Sequence, residues 1–393
     1  MNLILVDDKK IWQQLLPLTY TRPVSEIRIG ILTIREKWEK HFKAKASYQT
    51  ESYLSNKFPF AAFKGDSLFV NSSVIPDDKL ILKIKKLKSG NGLKQNNKLI
   101  AYKSEAVNFN QALALQNCEE YSNPVIFIEQ VWDIFKKNGE AIQLDFSLLT
   151  KGRKSQPLSK SNTVIGKKNQ IFLEKGAKSE AAIFNTTSGP IYIGKNAEVM
   201  EGSVVRGPFA LCEESALKLS CKVYGPSTIG PHSKVGGEIN NSVIFGYSNK
   251  AHDGFLGNSV LGEWCNLGAD TNNSNLKNNY GNVKLHSYAT GKNEDTGLQF
   301  CGLIMGDHSK SGINTMFNTG TVVGVGANIF GGGFPPTHIP SFTWGGAEGM
   351  ETYRLDKMFE TAQRVFERRH LNLEAEDKKI LEHVFEATSG LRD

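Results

Sequence analysis

Aliphatic residues recur at intervals of six in the middle of this chain. The first run has eight members, which are Ile193, Val199, Val205, Leu211, Leu217, Val223, Ile229 and Val235. A second run with the same period has Met305, Phe317, Val323 and Ile329, with Ser311 in the remaining position. An interval of six fits neither an α-helix, with a period of about 3.6, nor a two-sided strand, with a period of about 2. It fits a β-solenoid, in which short strands stack into a coil and one residue of each strand points at the axis.

The period fails in two places. Between Val235 and Leu261 the phase slips, because the next pairs of an apolar residue and a glycine are Phe245-Gly246, Leu261-Gly262 and Leu267-Gly268. Between residues 275 and 301 the period is lost altogether. Insertions in a solenoid loop out on one side, and binding residues concentrate in loops. We therefore look for chemistry at these two breaks.

The residues that flank the hexads predict other structure. Strand-like segments at 3–6, 67–70 and 125–128 alternate with helix-like segments at 31–42 and 131–138. This alternation predicts an α/β domain with a parallel sheet over residues 1–150. The polar stretch 151–162 is the predicted linker, and the β-helix is expected over 163–340. Helical stripes near 355–366 and 380–385 predict a helical tail over 341–393.

Composition narrows the classes of function. The formal net charge of the 393 residues is +7, without a basic stripe that carries stacking aromatics, so we expect no nucleic-acid partner. A mild positive excess suits phosphates or coenzyme A. Five cysteines without a C-x-x-C pair argue against a disulfide framework and against a metal site. The first residues lack the features of a signal peptide, and no apolar run is long enough to span a membrane, so we expect a cytoplasmic protein.

The stretch 249–275 is the best candidate for a functional site, because it follows the phase slip and is rich in small and polar residues. His252 lies within it, directly before Asp253-Gly254. A neutral imidazole there could take the proton of an amine or hydroxyl nucleophile. The alternative is a hydrogen-bonded surface histidine. The spacing alone leaves both interpretations open.

The residues around His252 match a known pattern. They read H-x-x-x-L-G from His252 to Gly257 and N-x-G-A from Asn266 to Ala269, and Asn279-Tyr280-Gly281 follows after an insertion. This pattern resembles the acetyltransferase half of the bifunctional bacterial enzymes that make UDP-N-acetylglucosamine. The resemblance implies a left-handed β-helix, assembled as a homotrimer, that transfers an acetyl group from acetyl-CoA to glucosamine-1-phosphate.

The resemblance also implies roles for single residues. It makes His252 the base that deprotonates the glucosamine amine, and it puts Asn266 in contact with the sugar phosphate. It puts Ala269, Asn279 and Tyr280 beside acetyl-CoA.

Four further residues correspond to substrate-binding positions of that family. Glu238 matches its glutamate ahead of the histidine, and Lys222 stands where it has a phosphate-binding arginine. Asn240 replaces its sugar-binding lysine, and Phe255 replaces its tyrosine after the histidine. These two replacements lie at positions that would select the sugar, so the identity of the acceptor sugar stays open.

The amino-terminal part of the chain resembles enzymes with a second activity. Residues 17–23, P-L-T-Y-T-R-P, resemble an element of sugar-phosphate nucleotidyltransferases, and the whole chain resembles a divergent branch of the bifunctional enzymes. The implied nucleotide-binding residues are Thr19, Arg22, Arg28 and Lys37.

Three features of the nucleotidyltransferase pattern are missing from the chain. Residues 7–12 contain no glycine for a phosphate-binding loop, and Val24 stands where a lysine usually follows R-P. Ser72 or Ser73 stands where a metal-binding aspartate is expected. Phosphoryl transfer needs a metal and a cation clamp, so Mg²⁺ and UTP are expected only if this domain is active.

Three classes of function stay open at this point. The first is an acetyl-CoA-dependent acyltransferase that acts on an amino-sugar phosphate, with or without uridylyl transfer. The second is a sugar-1-phosphate nucleotidyltransferase whose β-helix only oligomerises or regulates. The third is a scaffold that kept the solenoid and lost the chemistry.

Overall fold

The computed structural model describes residues 2–61, 65–105 and 109–392, which form two compact units. The first unit comprises Met1–Leu15, Thr21–Ile27 and Leu32–Gln130, and the second comprises Leu16–Tyr20, Arg28–Ile31 and Val131–Asp393. Residues 131–150, which the sequence analysis assigns to the α/β domain, thus group with the β-helix.

The first unit is built on a sheet of six strands. In spatial order these are Ala46–Gln49, Asn2–Val6, Ser67–Asn71, Lys98–Ser104, Gly92–Gln95 and Cys118–Glu120. The first three run parallel to one another, but Lys98–Ser104 is antiparallel to both of its neighbours. The prediction of a parallel sheet is therefore wrong for one strand of the six, because Lys98–Ser104 enters the sheet from a hairpin with Gly92–Gln95 rather than from a helical crossover, while the other five strands run in one direction.

Short helices accompany this sheet. The helix Ile34–Phe42 begins at Thr33, whose side chain accepts a hydrogen bond from the backbone N–H of Glu36 while the Glu36 carboxylate accepts from that of Thr33. Strands Val74–Ile75 and Ile126–Phe127 pair separately. The remaining helices of this unit are Lys9–Gln14, Val24–Glu26, Ser52–Leu54, Asp78–Ile84 and Gln111–Gln116.

The second unit is a parallel β-helix with three faces. The first face consists of Ile171–Leu173, Ile191–Ile193, Phe209–Leu211, Ser227–Ile229, Val243–Gly246, Val260–Glu263, Ile304–Met305, Val322–Val323 and His338–Ile339. The second face consists of Lys178–Ser179, Glu198–Val199, Ala216–Leu217, Lys234–Val235, Asn249–Lys250, Asn266–Leu267, Lys310–Ser311, Asn328–Ile329, Thr343–Gly346 and an antiparallel Gly349–Thr352. The third face consists of Thr163–Ile165, Ile183–Asn185, Val204–Arg206, Lys222–Tyr224, Glu238–Asn240 and Phe255–Gly257, and Asn272–Asn273 pairs with Met316–Phe317 separately.

The hexad residues fill the axis of this coil. All eight members of the first run are at most 1% exposed, and they belong to one apolar cluster with Met305, Phe317, Val323 and Ile329 of the second run. Ser311 is also buried in its slot. The β-helix that the period predicts is confirmed, since each inward residue is covered only by the coils above and below it.

Shortened turns explain the phase slip. Phe209 pairs with Ser227 eighteen residues later, whereas Thr228 pairs with Val243 only fifteen residues later. The inward residue of the following first-face strand is Ile244, and not Phe245.

An insertion explains the second break. Val260 pairs with Ile304 of the next coil, and between Asn272–Asn273 and that strand the chain leaves the coil to form a hairpin of Lys284–Ser287 and Lys292–Asp295.

Helices complete the second unit. Asp133–Lys136 and Asn138–Thr150 precede the coil, and Leu355–Glu367 and Ala375–Ala387 follow it, with short helices at Lys168–Gln170 and Ser389–Leu391. Helix Leu355–Glu367 buries Met358, Ala362 and Phe366, which confirms the predicted helical tail, whereas Leu355 and Phe359 of the predicted stripe are only half-buried. All five cysteines are free thiols. Within the described residues, no helix has both the length and the apolar character needed to span a bilayer.

Candidate functional site

His252 lies in the turn 251–254, which connects the second face to the third. The turn follows Asn249–Lys250 and precedes Phe255–Gly257. The imidazole is exposed, and it has no hydrogen-bond partner among the residues that the structure describes. The His252 imidazole is therefore accessible to a ligand, and its role as a base stays a prediction.

A cavity of about 620 Å³ adjoins this turn on the second face, and His252 lines it. Its floor is a column of outward side chains on four successive coils, Lys234, Asn249, Asn266 and Lys310. We call this space the cationic cavity. It brings together three of the predicted site residues, His252, Asn266 and Ala269.

Stacked rings form one wall of the cationic cavity. The rings of Tyr247 and Trp264 lie with centroids 4.2 Å apart, at the corner between the first and second faces. His232 continues the stack below Tyr247, at 4.6 Å. Phe366 stacks on the other side of Trp264, at 3.9 Å, and so holds the tail helix against the coil. Both faces of Tyr247 and of Trp264 are thus covered by other rings, so the stack builds the wall of the cavity and offers no open π-face.

The chain that follows the tail helix contributes two further cations to the cavity. Arg368 and Arg369 line it, and the Arg369 guanidinium donates a hydrogen bond of 3.4 Å to the Asn249 side chain. Burial and the neighbouring charge of Arg368 lower the pKa of Arg369. Burial lowers the pKa of Lys310 to about 8.

Charge decides what the cationic cavity can hold. Lys234, Lys310, Arg368 and Arg369 line it, and no Asp or Glu stands among its described lining residues. Four cations that face one space without a carboxylate repel one another, and an anionic ligand relieves that repulsion. The site therefore suits a phosphate-bearing ligand.

The other predicted substrate-binding residues meet on the third face. Lys222, Glu238 and Phe255 are aligned on three successive strands, and Asn240 is aligned with Tyr224 in the next column. The Tyr224 hydroxyl donates a hydrogen bond to the Glu238 carboxylate. The turn that carries His252 leads directly into this face, so the histidine stands at the corner between two polar surfaces.

Asn279 and Tyr280 lie in the insertion that leads to the hairpin. Tyr280 is 67% exposed, and the Asn279 side chain accepts a hydrogen bond of 3.0 Å from the backbone N–H of Gly281. Neither residue is among the described residues that line the cationic cavity. Their predicted place beside acetyl-CoA stays a prediction.

The first unit has a polar cluster of its own at the carboxyl ends of its parallel strands. Asp7 follows strand Asn2–Val6, and its carboxylate accepts hydrogen bonds from the Thr50 hydroxyl, at 2.6 Å, and from the backbone N–H of Val24, at 3.2 Å. Burial raises the pKa of Asp7 to about 6. Ligands of such sheets bind beyond the carboxyl ends of the strands.

The four predicted nucleotide-binding residues are all buried and are divided between the units. Arg22 and Lys37 belong to the first unit, and Thr19 and Arg28 to the second. The Arg28 guanidinium donates to the carbonyl oxygens of Ile31, at 2.6 Å, and Phe245, at 3.1 Å. These bonds give Arg28 a structural task, which is to attach the 28–31 segment to the coil.

Several residues of the site are not recognisable from the sequence. The cavity cations and rings come from separated parts of the chain, and only the alignment of coils makes them neighbours. Lys250 was also missed, although it occupies an inward hexad slot between Ile244 and Leu256. A charged residue in an aliphatic slot is a signal that the sequence does contain.

Comparisons with known proteins agree with the motifs. Residues 3–154 match the family model of sugar nucleotidyl transferases. The bifunctional protein GlmU of Rippkaea orientalis is 32% identical over 126 residues, which cover 28% of this chain and 27% of that protein. A bifunctional sugar-1-phosphate nucleotidylyltransferase/acetyltransferase of Sulfurisphaera tokodaii is 28% identical over 146 residues, which cover 37% of this chain and 36% of that protein. The resemblance to bifunctional enzymes is confirmed, and this chain matches about a third or less of each relative's length.

One solved structure is similar to part of this chain. The UDP-N-acetylglucosamine acyltransferase from Campylobacter jejuni matches 58% of this chain and 96% of its own, with 12% identity and a TM-score of 0.26. The assignment of the β-helix rests on the strand pairing described above.

Proposed function

We propose that the second unit transfers an acetyl group from acetyl-CoA to the amine of a sugar phosphate, with glucosamine-1-phosphate as the expected acceptor. The observation that carries this proposal is the exposed imidazole of His252 at the edge of a cavity lined by four cations and two stacked rings. The similar sugar-1-phosphate nucleotidylyltransferase/acetyltransferase of Sulfurisphaera tokodaii supports the pairing of these two activities in one chain.

The reaction needs one base and one oxyanion donor. The acceptor nitrogen attacks the thioester carbonyl, and His252 takes the proton that the nitrogen loses. The carbon–sulfur bond then breaks, and the leaving thiolate takes up a proton to give free coenzyme A. A backbone N–H can stabilise the negative oxygen of the tetrahedral intermediate. No metal is needed for this chemistry.

The two polar surfaces beside His252 suit two substrates. The cationic cavity suits the phosphates of coenzyme A or of the sugar. On the third face, Lys222 and Glu238 offer a cation and an acceptor for a sugar phosphate. Asn240 and Phe255 are the residues that would select the sugar.

The third face also suits self-association. Ile165, Ile183, Val204 and Tyr224 are exposed on consecutive strands of this face. A row of exposed apolar side chains on neighbouring strands is typical of an interaction site, and we propose a homotrimer in which this face meets a second copy. A neighbouring copy would then border the surface that carries Lys222 and Glu238.

Release of free thiol from acetyl-CoA in the presence of glucosamine-1-phosphate tests the proposal. We expect His252→Ala to abolish release while the protein stays folded, and His383→Ala, at an exposed histidine of helix Ala375–Ala387, to release thiol as the wild type does. Full turnover by His252→Ala would exclude this base. If the wild type neither releases thiol nor binds acetyl-CoA or sugar phosphates in a thermal-shift panel, the scaffold reading is favoured.

A second activity is proposed for the first unit, the transfer of a uridylyl group from UTP to a sugar-1-phosphate. The match of residues 3–154 to sugar nucleotidyl transferases supports it, together with the polar cluster around Asp7. Ser72 and Ser73 offer no carboxylate to Mg²⁺, and the described residues contain no group of three or more His, Cys, Asp or Glu that could hold a metal ion. We therefore derive no step through magnesium.

Pyrophosphate release tests this second activity. Wild-type protein with UTP, Mg²⁺ and a sugar-1-phosphate should release pyrophosphate, and Asp7→Asn and Arg22→Ala should each lower the rate while acetyl transfer continues. If the wild-type protein transfers the acetyl group but releases no pyrophosphate, the first unit lacks this activity.

A further inference from the structure

Lys250 is a charged residue in the apolar axis of the β-helix. It pairs with Val235 of the coil below, and the pairing of Asn249 with Asn266 puts Leu267 above it. It is 1% exposed, and burial lowers its pKa to about 8. Removing an ammonium group from water costs several kcal/mol unless its hydrogen bonds are replaced, so a lysine here calls for a reason.

The ammonium group of Lys250 binds the turn that carries His252. Its Nζ donates to the carbonyl oxygen of His252, at 2.5 Å, and to that of Asp253, at 3.0 Å. Asp253 also accepts from the backbone N–H of Asp270. Within the described part of the chain, the His252 oxygen accepts a hydrogen bond from Lys250 alone.

A difference in turn length explains why these carbonyls need a side-chain donor. In the coil below, only Gly236 and Gly237 separate the second face from the third, whereas residues 251–254 make the same connection here. The longer turn therefore extends beyond the turn below it. The regular backbone hydrogen bonds between successive coils cannot satisfy all of its carbonyl groups. A buried carbonyl without a donor is costly, and Lys250 supplies the donor.

The same turn packs closely on Gly237. A Cβ atom at that position would lie 2.9 Å from the His252 oxygen and 2.8 Å from that of Gly254. The backbone of the turn is thus held from the axis by Lys250 and from below by Gly237. Because the imidazole of His252 has no side-chain partner among the described residues, the backbone of this turn alone sets its position.

We propose that Lys250 is a positioning residue, which holds the 251–254 turn from inside the coil and so orients His252 for acetyl transfer. The inference rests on the proposed function for its kinetic consequence, but the hold on the turn can be measured without it. A displacement of about 1 Å at a reacting group can cost about a hundredfold in rate, so a tether of this kind has a measurable effect.

Lys250→Met is the test, because methionine has a similar length and no donor. Leu217→Met is the matched control, since Leu217 occupies the inward slot of the second face two coils below and lies outside the cavity. We expect Lys250→Met to lower kcat by about 10- to 100-fold with unchanged KM for both substrates, and Leu217→Met to act as the wild type. A purely structural role would lower the amount of folded protein and leave kcat per folded molecule unchanged.

Amide hydrogen exchange of the peptide that contains 251–254 is the second readout. We expect exchange to become faster in Lys250→Met and to stay unchanged in Leu217→Met. If the wild type releases no thiol, the proposed function fails. Amide hydrogen exchange then tests by itself whether Lys250 holds the 251–254 turn. Unchanged exchange, or kcat within twofold of wild type in a folded Lys250→Met protein, overturns the proposal.

Gly237→Ala covers the case in which Lys250→Met does not fold. Its Cβ presses on the same turn from below, its φ of +72° adds backbone strain, and Lys250 stays in place, so we expect a similar loss of kcat. A folded Gly237→Ala protein with wild-type kcat would show that the position of the turn does not limit the reaction, and it would overturn the proposal.

Discussion

The ring of Phe366 stacks on the ring of Trp264, with centroids 3.9 Å apart and planes 21° apart. Trp264 belongs to a corner of the β-helix, and Phe366 belongs to the helix Leu355–Glu367 far along the chain. This contact holds the helix against the coil and places Arg368 and Arg369 over the cationic cavity. The cavity thus depends on how firmly the tail is docked.

Removing the Phe366 ring should loosen the tail. We expect Phe366→Ala to destabilise the docked helix by about 3 kcal/mol, because a buried aromatic side chain is lost. Limited proteolysis between the last coil and the tail measures this, and KM for acetyl-CoA should rise in parallel. Phe334→Ala, at an exposed phenylalanine, is the control. Equal protease resistance of the two variants would contradict the docking role of Phe366.

Loss of one cavity cation should weaken binding of phosphates. We expect Arg369→Gln to raise the Kd for coenzyme A about tenfold, because a charge-assisted hydrogen bond is lost, and to flatten its salt dependence. Arg354→Gln is the matched control, since Arg354 is exposed on the same tail and pairs with Asp356. Calorimetric titration at two salt concentrations measures both effects. Identical Kd values for the two variants would place the phosphates elsewhere.

Lys250 should make stability depend on alkaline pH. Its pKa of about 8 in the folded protein lies below the ordinary 10.5, because burial disfavours the ammonium form. The unfolded chain therefore binds more protons between pH 8 and 10.5, and the free energy of unfolding rises with pH in that window. The difference between wild type and Lys250→Met in urea unfolding should shift in favour of the wild type from pH 7.5 to 9.5. A constant difference would contradict the lowered pKa.

His338 should make the stability of the folded protein depend on pH in the acidic range. Its ring stacks on His286 at 3.6 Å, and burial together with the charge of His286 lowers its pKa to about 4 from the ordinary 6.5. The unfolded chain binds more protons between pH 4 and 6.5, so this part of the stability is lost as the pH falls through that window. Thermal unfolding should show that His338→Phe loses less stability than the wild type from pH 7 to 5. An equal loss of stability in the two proteins would contradict the lowered pKa of His338.

Self-association should depend on the third face. We expect Val204→Asp to raise the dissociation constant of the oligomer about a hundredfold, because the interface would bury an unpaired carboxylate. Leu82→Asp, at an exposed leucine of the first unit, is the control. Light scattering across a concentration series measures the molar mass. A Val204→Asp oligomer as stable as that of the control would exclude this face.

Much of the second unit was predictable because its order is local. A hexad period specifies a three-faced coil, since each face repeats the same short strand and turn. The slots at Ile193 and Ile229 follow the period without knowledge of any distant contact. His252 could also be selected, because it lies where that period fails.

The rest depended on contacts between distant residues. The fifteen-residue coil, which the spacing does not locate, put Ile244 rather than Phe245 in the inward slot and so turned the Lys250 side chain toward the axis. The antiparallel strand Lys98–Ser104 has the same local pattern as a parallel one, so only pairing decided its direction.

By itself, the sequence determined the coil, its interruptions and a candidate base, because a repeat carries its own register. Only the tertiary structure decided what surrounds His252. It stacked the second-face strands into a column of cations and polar side chains, and it brought Arg368 and Arg369 over them through the ring contact of Phe366. It also put the Lys250 ammonium group under the backbone of His252. These relationships join residues on different coils, and their free energy arises only when the whole coil has formed.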